Sequence, residues 1–152
     1  MVGGDESAYR RAEPVLRELG TPTRIGDNGQ GLVLKLAINI SLAVQVLAFS
    51  EGLLLATRDG VAASLVLDEM TDSQIGSPML KTRAPLFFDL PEDAWFDVKM
   101  MHKDVDLALE LASELGIRLP SAETAGEALT RAEQLGYGER DIASAYEVLS
   151  KT

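Results

Sequence analysis

The 152-residue sequence contains no cysteine and a single histidine, His102. Without cysteine there is no disulfide, no thiol nucleophile and no zinc–thiolate site, which is typical of a protein in the reducing cytoplasm. His102 has no second histidine to join it, so we expect neither a metal site nor a catalytic triad around it. The N-terminus lacks the basic and apolar regions of a signal peptide. We therefore expect a cytoplasmic protein that holds no metal.

Basic residues are scarce. The sequence has 14 lysines and arginines but 24 aspartates and glutamates, which gives a net charge of −10. Nucleic-acid-binding domains normally carry a basic patch, so this balance argues against a nucleic-acid partner. The hydrophobic fraction of 46% and the charged fraction of 25% are ordinary for a globular domain. We expect one folded domain, with at most a small appendage.

Charge is absent altogether from residues 36–50. This stretch is shorter than the roughly 20 residues of a membrane span. It also contains several polar side chains and has no basic flank. We therefore predict one long buried helix over residues 31–58 and no membrane span. A helix that is apolar on nearly every face must be covered on nearly every face, so a second subunit or a missing domain is expected to cover part of it.

The remaining sequence predicts shorter helices and one extended segment. Asp5 is placed to cap a helix over residues 5–19, and residues 21–25 form a short extended segment with no obvious strand partner. Apolar spacing predicts further helices over residues 61–70, 78–83, 96–115, 121–135 and 141–149, with Ser121 and Asp141 as caps. No strand pattern follows residue 26, so the fold class is mainly α.

Lys35 is the first candidate functional residue, because it lies where the uncharged helix begins. Asn39 follows four residues later and shares a helix face with Lys35, so its amide can lie beside the amine. A desolvated lysine with an amide neighbour is a candidate acid/base group. The competing interpretation is a lysine whose ammonium reaches water, with Asn39 bonded to another helix.

The glycines before Lys35 do not match a dinucleotide-binding loop. That fingerprint needs G-x-G-x-x-G after a strand and an acidic residue roughly 20 positions later, at the end of a second strand. Here the spacing is reversed, Gly26-x-x-Gly29-x-Gly31, and Glu51 lies inside the predicted helix. We expect these glycines to let backbone or a ligand approach the start of the helix.

A second cluster, Lys103-Asp104, lies in the predicted helix over residues 96–115. Its simplest interpretation is a solvated helix face. The acidic residues Asp68, Glu69 and Asp72 are most simply surface residues as well.

The ordered set of motifs resembles the β-hydroxyacid dehydrogenase family. This family includes 3-hydroxyisobutyrate dehydrogenases, tartronate semialdehyde reductases and, more distantly, 6-phosphogluconate dehydrogenases. The resemblance covers essentially the whole chain. It rests on Gly29-x-Gly31-x3-Lys35-x3-Asn39, on Glu51 with Gly60, on Phe96 followed by Lys103-Asp104-Val105-x-Leu107-Ala108, and on Gly138-x-x-Asp141.

The resemblance implies two parts in this chain. Residues 29–152 would form an all-α C-terminal domain like that of 6-phosphogluconate dehydrogenase, a helical bundle around one long central helix. Residues 1–28 would be a βα remnant of the preceding Rossmann domain, which explains the unpaired extended segment. The G-x-G-x-x-G loop and a Ser-Gly-Gly substrate loop would lie upstream. The intact enzyme would use NAD or NADP and form a homodimer or higher homo-oligomer through the long helix. The isolated chain is expected to hold no cofactor and to be inactive.

The resemblance also assigns roles to four residues. Lys35 matches the catalytic lysine, Asn39 and Gly31 lie where the family binds substrate, and Lys103 matches a lysine that reaches the cofactor. Oxidation of a 3-hydroxy acid needs a base for the hydroxyl proton, and the reverse reaction needs an acid. We therefore expect interconversion of a small β-hydroxyacid and its semialdehyde, with Lys35 as general acid/base.

Departures from the family pattern leave the substrate open. Ile38 stands where many relatives have a second asparagine, and Leu42 and Ala43 stand where the 6-phosphogluconate branch has a glutamate acid, which disfavours decarboxylation. A non-catalytic helical dimerisation module and a binding protein for small carboxylates remain alternative functions.

Overall fold

A computed structural model describes residues 1–151 and places one long helix, α2 (Gln30–Arg58), at the centre of a helical bundle. Four of the helices that follow α2 in the chain pack against it, so the predicted mainly-α class is confirmed. Two short 3-10 segments, Ala84–Phe87 and Ile142–Ser144, lie between the α-helices. The other elements are β1 (Val2–Gly3), α1 (Glu6–Arg17), β2 (Arg24–Gly26), α3 (Ala63–Asp72), α4 (Pro78–Arg83), α5 (Val98–Glu114), α6 (Pro120–Gln134) and α7 (Ala145–Ser150).

The N-terminal segment forms a small β1–α1–β2 unit. Asp5 caps α1 as predicted, and its carboxylate accepts a hydrogen bond of 2.9 Å from the backbone nitrogen of Ala8. β1 and β2 pair in parallel, with the backbone nitrogen of Val2 donating to the carbonyl of Thr23 at 2.9 Å. The expectation that the extended segment has no partner is therefore wrong. Its partner β1 spans two residues, too few for any periodic pattern to reveal.

The first turn of α2 rests directly on β1. Gly29 caps the helix with φ +89°, a left-handed conformation that favours glycine. Gly31 is buried, and a Cβ atom at this position would lie 2.8 Å from the backbone nitrogen of Gly3. Glycine at position 31 therefore lets the helix approach the strand at backbone distance.

The hydrophobic core surrounds the C-terminal half of α2. Phe49 and Leu53 are fully enclosed there, and the Phe49 ring lies 5.0 Å from the ring of Phe87, measured between centroids. Met101 and Val105 of α5 complete this centre. The core thus fixes the rotation of α2 about its own axis, which in turn fixes the direction of every side chain along it.

The N-terminal half of α2 is much less covered than its sequence suggests. Leu32, Val33, Leu34 and Ile38 are all exposed. Of the helices in residues 1–151, α2 has the length and composition of a membrane span, yet central helices of soluble proteins share both properties. Only 22% of its most apolar 18-residue window is buried. This chain taken alone therefore leaves part of α2 uncovered, and its coverage by a second subunit or a missing domain stays a prediction.

Local differences from the predicted helices have local causes. α6 begins at Pro120, with Leu119 in the capping position, so the predicted Ser121 cap is wrong; proline is well suited to the first helical position. Asp141 does act as a cap, but for the 3-10 segment that precedes α7. α4 matches its predicted bounds, and no strand follows residue 26 within residues 1–151.

Candidate functional site

Asp104 of α5 joins the two candidate residues of α2. Its Oδ2 atom accepts a hydrogen bond from the amide of Asn39 at 2.6 Å and an ion-paired hydrogen bond from the ammonium of Lys35. The Asp104 side chain is only 1% exposed. The predicted proximity of the Lys35 amine and the Asn39 amide is therefore confirmed, and the atom that holds them together is a carboxylate oxygen.

The sequence of α5 explains why this carboxylate is buried. Asp104 belongs to a row of buried positions along α5, most of them three or four residues apart. The other members of the row are apolar: Val98, Met101, Val105, Ala108 and Ala112. A carboxylate in such a row is stable only when it is paired and hydrogen-bonded, and Lys35 and Asn39 provide both interactions.

The second carboxylate oxygen of Asp104 is much less well satisfied. Its Oδ1 atom is buried and accepts no hydrogen bond within the described residues. The ammonium of Lys103 lies 3.4 Å from Oδ1, and the Lys103 side chain is 57% exposed. Asp104 therefore lies between two ammonium groups, one on each helix.

These neighbours determine the protonation of Asp104. Burial by itself raises the pKa of the Asp104 carboxyl group. The hydrogen bonds from Lys35 and Asn39, with the charges of Lys35 and Lys103, outweigh burial and hold this pKa below its ordinary value. Asp104 is consequently a carboxylate at neutral pH.

Lys35 itself remains accessible from outside the bundle. Its side chain is 36% exposed, so the desolvation that an acid/base role requires is not provided by this chain alone. An ammonium has three N–H donors. Since Asp104 takes one of them, two are left that can donate to a small molecule.

Three of the four predicted site residues form one cluster, and the fourth lies next to it. Lys35, Asn39 and Lys103 converge on Asp104. Gly31 lies one turn before Lys35, where it packs against β1. This packing explains the glycine, and substrate binding by Gly31 stays a prediction. The sequence indicates Asp104 only as the neighbour of Lys103. The signal that marks Asp104 is an acidic residue in register with the buried row of an amphipathic helix.

A second buried ion pair supports the start of α5. Both carboxylate oxygens of Asp141 accept hydrogen bonds from the Arg83 guanidinium, at 2.7 and 2.8 Å. The same carboxylate also accepts from the backbone nitrogens of Trp95 and Phe96. This network holds the segment that leads into α5 and is enclosed by protein, so its role is structural. The pair joins residues 58 positions apart, which sequence spacing does not reveal.

His102 faces α6 and takes no part in the Asp104 cluster. Its Nδ1 atom lies 2.6 Å from a carboxylate oxygen of Glu133, and Nε2 lies 3.1 Å from the hydroxyl of Thr130. Among residues 1–151, no group of three or more histidine, aspartate or glutamate side chains is arranged to hold a metal ion. The contacts of His102 link two helices.

Comparison with known proteins gives one family for most of the chain. Residues 29–149 match the family described as "NAD-binding of NADP-dependent 3-hydroxyisobutyrate dehydrogenase". The cofactor class predicted for the intact enzyme, NAD or NADP, is therefore confirmed. The description attributes NAD binding to this helical segment itself and does not call it a C-terminal domain, whereas the sequence predicted nucleotide binding mainly upstream.

Individual relatives agree with this family. Glyoxylate/succinic semialdehyde reductase 1 of Arabidopsis thaliana is 31% identical over 98% of this chain and 52% of its own length. The solved 3-hydroxyisobutyrate dehydrogenase of Salmonella typhimurium has a TM-score of 0.87 and is 29% identical over 96% of this chain and 52% of its own. The Mycobacterium tuberculosis 3-hydroxyisobutyrate dehydrogenase, solved with L-serine, has a TM-score of 0.84 and is 28% identical over 98% and 54%. The chain thus spans about half the length of the relatives it matches.

Proposed function

This chain belongs to the NAD-binding family of 3-hydroxyisobutyrate dehydrogenases, and on that premise we propose that it is the helical half of an oxidoreductase that interconverts a small β-hydroxyacid and its semialdehyde. The observation that carries the proposal is the convergence of Lys35 and Asn39 on the buried carboxylate of Asp104. It places one proton donor and one amide side by side at a surface that a small molecule can reach.

Lys35 is the proton donor and acceptor in this proposal. When the aldehyde is reduced, an N–H of the Lys35 ammonium donates its proton to the oxygen that becomes the hydroxyl group. When the hydroxyacid is oxidised, the same nitrogen takes the hydroxyl proton. Asp104 pairs with the ammonium form and fixes its position, so the arrangement is best suited to the reductive direction. Asn39 binds the substrate with the amide atoms that Asp104 leaves unused.

The cofactor supplies the hydride when it is bound. In this chain Lys103 is the residue we propose to hold it. Its ammonium is exposed and lies beside the Lys35 cluster, and an exposed ammonium suits the anionic groups of a dinucleotide.

We also propose that the chain divides at residue 28 into a Rossmann remnant and an all-α C-terminal domain of the 6-phosphogluconate dehydrogenase type. Three features support this division. The family match begins at residue 29, where α2 is capped. Two parallel strands joined by a helix are a building unit of larger parallel sheets. No residue of α1 is buried, as expected for a helix whose neighbours lie in another part of the protein.

The relatives support a small substrate that carries a carboxylate, and the family's description names a β-hydroxyacid, 3-hydroxyisobutyrate. The Arabidopsis relative is named for glyoxylate and succinic semialdehyde, which are aldehydes that carry a carboxylate. The mycobacterial relative was solved with L-serine, which carries a hydroxyl group on the carbon next to its α-carbon. A carboxylate of such a molecule would be attracted to Lys35 and Lys103. Ile38, exposed one turn from Lys35, would offer it an apolar contact.

A second candidate function is a helical dimerisation module without catalysis. The exposed apolar surface of α2 favours it, because such surfaces mark contacts with other chains. We propose self-association through α2 in either case. Only the first candidate requires turnover that depends on Lys35.

The decisive experiment supplies the half that this chain lacks. The part of the Arabidopsis reductase that this chain does not match would be fused ahead of it. NADPH oxidation would be followed with succinic semialdehyde and glyoxylate, and NADP⁺ reduction with 3-hydroxyisobutyrate, the β-hydroxyacid in the family's description. We expect turnover by the fusion and none by the 152-residue chain alone. Lys35→Ala should lower kcat by about 10²- to 10⁴-fold.

The matched control is Lys99→Ala, an exposed lysine one turn before Lys103 on α5. It should leave kcat within about twofold of the parent fusion. Activity of Lys35→Ala within about tenfold of the parent would reject Lys35 as the acid/base group. An inactive but folded and dimeric fusion would favour the dimerisation module.

A further inference from the structure

His102 lies between α5 and α6 and uses both nitrogen atoms of its ring there. Nδ1 lies 2.6 Å from a carboxylate oxygen of Glu133, and Nε2 lies 3.1 Å from the hydroxyl oxygen of Thr130. The His102 side chain is only 20% exposed, so the ring is mostly enclosed. We call His102, Thr130 and Glu133 the His102 clamp. It is separate from the hydrogen bonds of the Asp104 cluster.

The Thr130 hydroxyl group has two acceptors within reach but a single proton. Its oxygen lies 3.0 Å from the backbone carbonyl oxygen of Gly126, one turn earlier on α6. When the hydroxyl donates to Gly126, its oxygen can only accept from Nε2 of His102, which must then carry a proton. When Nε2 carries no proton, it becomes an acceptor and the hydroxyl can donate to it instead. The direction of the Thr130 hydroxyl group thus depends on the protonation of His102.

Glu133 determines what happens at the other ring nitrogen. An ionised carboxylate has no proton to donate, so Nδ1 carries a hydrogen whenever it is bonded to Glu133. The clamp therefore allows two states of the ring. In the imidazolium state, Nδ1–H donates to Glu133 and Nε2–H donates to Thr130. In the neutral state, Nδ1 alone keeps its hydrogen and Nε2 accepts from Thr130.

The charged groups around the ring distinguish these two states. Glu133 approaches from α6, and a carboxylate oxygen of Asp106 on α5 lies 3.6 Å from Nε2. Both carboxylates attract an imidazolium, and neither attracts a neutral ring. Lys103, the next residue in the sequence, places its ammonium 3.4 Å from Asp104. The imidazolium state therefore gives the stronger contact between α5 and α6.

The clamp supports the part of α5 that carries the candidate site. Lys103 and Asp104 follow His102 directly in the sequence, and the clamp joins this turn of α5 to α6. A stronger bond at residue 102 restricts the movement of α5 where Asp104 receives Lys35. Histidine is the side chain whose charge ordinarily changes between about pH 5 and pH 8, so this support can respond to the pH of the surroundings.

We propose that His102 is a proton-controlled clamp between α5 and α6. At low pH the imidazolium donates to Glu133 and Thr130, and the Thr130 hydroxyl donates to Gly126. As the pH rises, Nε2 releases its proton to solvent, Nδ1–H keeps the bond to Glu133, and the Thr130 hydroxyl turns from Gly126 to Nε2. The hydrogen bond to Gly126 and the attraction of the two carboxylates for the ring are lost together. This clamp does not depend on the chemistry proposed for Lys35.

Nitrogen NMR of the ring tests both states in the natural chain. His102 is the only histidine, so the ring signals belong to it without further assignment. At about pH 5 we expect hydrogens on both ring nitrogens, and at about pH 9 a hydrogen on Nδ1 alone. Glu133→Gln should lose this preference for Nδ1, because a glutamine amide can donate to a bare nitrogen as well as accept from N–H.

Urea unfolding tests the effect of the clamp on stability. His102→Gln keeps a polar side chain but cannot titrate, and circular dichroism checks its fold. Between about pH 5 and pH 9 we expect the unfolding midpoint of the natural chain to fall by about 0.3 M urea more than that of His102→Gln. Thr130→Val should show a smaller fall than the natural chain, and Thr130→Ser, which keeps the hydroxyl, should show the full fall. The matched control is Glu127→Gln, an exposed position on α6, which should behave as the natural chain does.

Two results would overturn the proposed clamp. One is a hydrogen on Nε2 instead of Nδ1 at about pH 9, and the other is an equal change of midpoint in the natural chain and in His102→Gln. The full fall in Thr130→Val would reject the Thr130 hydroxyl as the group that turns. Because the NMR measurement uses the natural chain, it decides the question even where a variant fails to fold.

Discussion

At the scale of single residues, Asp104 organises the candidate site. It is the one position of the buried α5 row that is charged, and its carboxylate receives Lys35 and Asn39 from α2. Removing the carboxylate would let the Lys35 side chain move but would not remove its amine. The role of Asp104 is therefore positional, and it can be separated experimentally from the proton transfer assigned to Lys35.

Asp104→Asn should change both the stability of the chain and its response to acid. We expect the free energy of unfolding at pH 7 to fall by about 1–3 kcal/mol, since a charge-assisted hydrogen bond is replaced by a neutral one. The pKa of Asp104 is lowered in the folded chain. Its contribution is therefore fully present above the unfolded-state pKa near 4 and is lost as the pH falls through the lower folded-state pKa. Urea unfolding between pH 2 and pH 7 measures both effects.

In that series Asp104→Asn should lose less stability on acidification than the natural chain. Asp68→Asn, which removes an exposed carboxylate on α3, is the control and should reproduce the natural acid dependence. An unchanged acid dependence in Asp104→Asn would show that the ion pair contributes little to folding.

At the scale of elements, we expect substitution of two glycines of α2 to have opposite effects on the stability of the chain. Gly31→Ala places a Cβ atom 2.8 Å from the backbone of Gly3, which cannot move without disturbing β1. We expect a loss of about 1–3 kcal/mol. Gly52→Ala places its Cβ atom 2.9 Å from the terminal methyl of Met70, a flexible side chain that can turn away. Because alanine favours the helix interior by up to about 1 kcal/mol over glycine, this variant should be neutral or more stable.

Thermal unfolding of the two variants measures this difference directly. A Gly31→Ala chain as stable as Gly52→Ala would mean that the contact between α2 and β1 tolerates an added methyl group, and the proposed close docking of helix and strand would be wrong.

Elements set by local signals were predictable from the sequence. The bounds of α2 follow from its apolar sequence between Gly29 and Gly60, and those of α4 from Pro78. Elements that depend on distant residues were not. The strand β1 exists because Thr23 and Gly26 supply its partners, and the Arg83–Asp141 pair forms only when α4 meets the segment before α5. The candidate site was predictable in part. Lys35 and Asn39 share a helix, which local spacing predicts, but Asp104 is 65 or more residues away from them in the sequence.

At the scale of the whole molecule, the chain consists of a well-packed helical body and a lightly attached N-terminal unit. α1 has no buried residue, and the two-stranded sheet is too small to be stable by itself. The body, in contrast, has a continuous core around Phe49 and Leu53. The two parts should therefore open independently.

Hydrogen exchange should reveal this difference. Amides of α1 should exchange at least about tenfold faster than those of the C-terminal half of α2, because local opening of α1 exposes no buried side chain. Brief trypsin treatment should cut first after Arg10, Arg11 or Arg17. Arg58, whose guanidinium binds the carbonyl of Ser150, serves as the protected control. Equal protection in both parts would mean that the N-terminal unit is stabilised in a way these contacts do not explain.

The enclosure of Leu53 has a consequence for how this helix can change over evolutionary time. Leu53 lies eighteen positions after Lys35, which is five complete turns at 3.6 residues per turn, so both side chains leave α2 in the same direction. A single inserted or deleted residue between them would turn Lys35 about 100° away from Asp104 while the core holds Leu53 in place. Substitutions along this interval can accumulate, but changes in its length cannot. Descendants that keep the activity should therefore preserve the count of residues from Lys35 to Leu53 even where few of the residues themselves are retained.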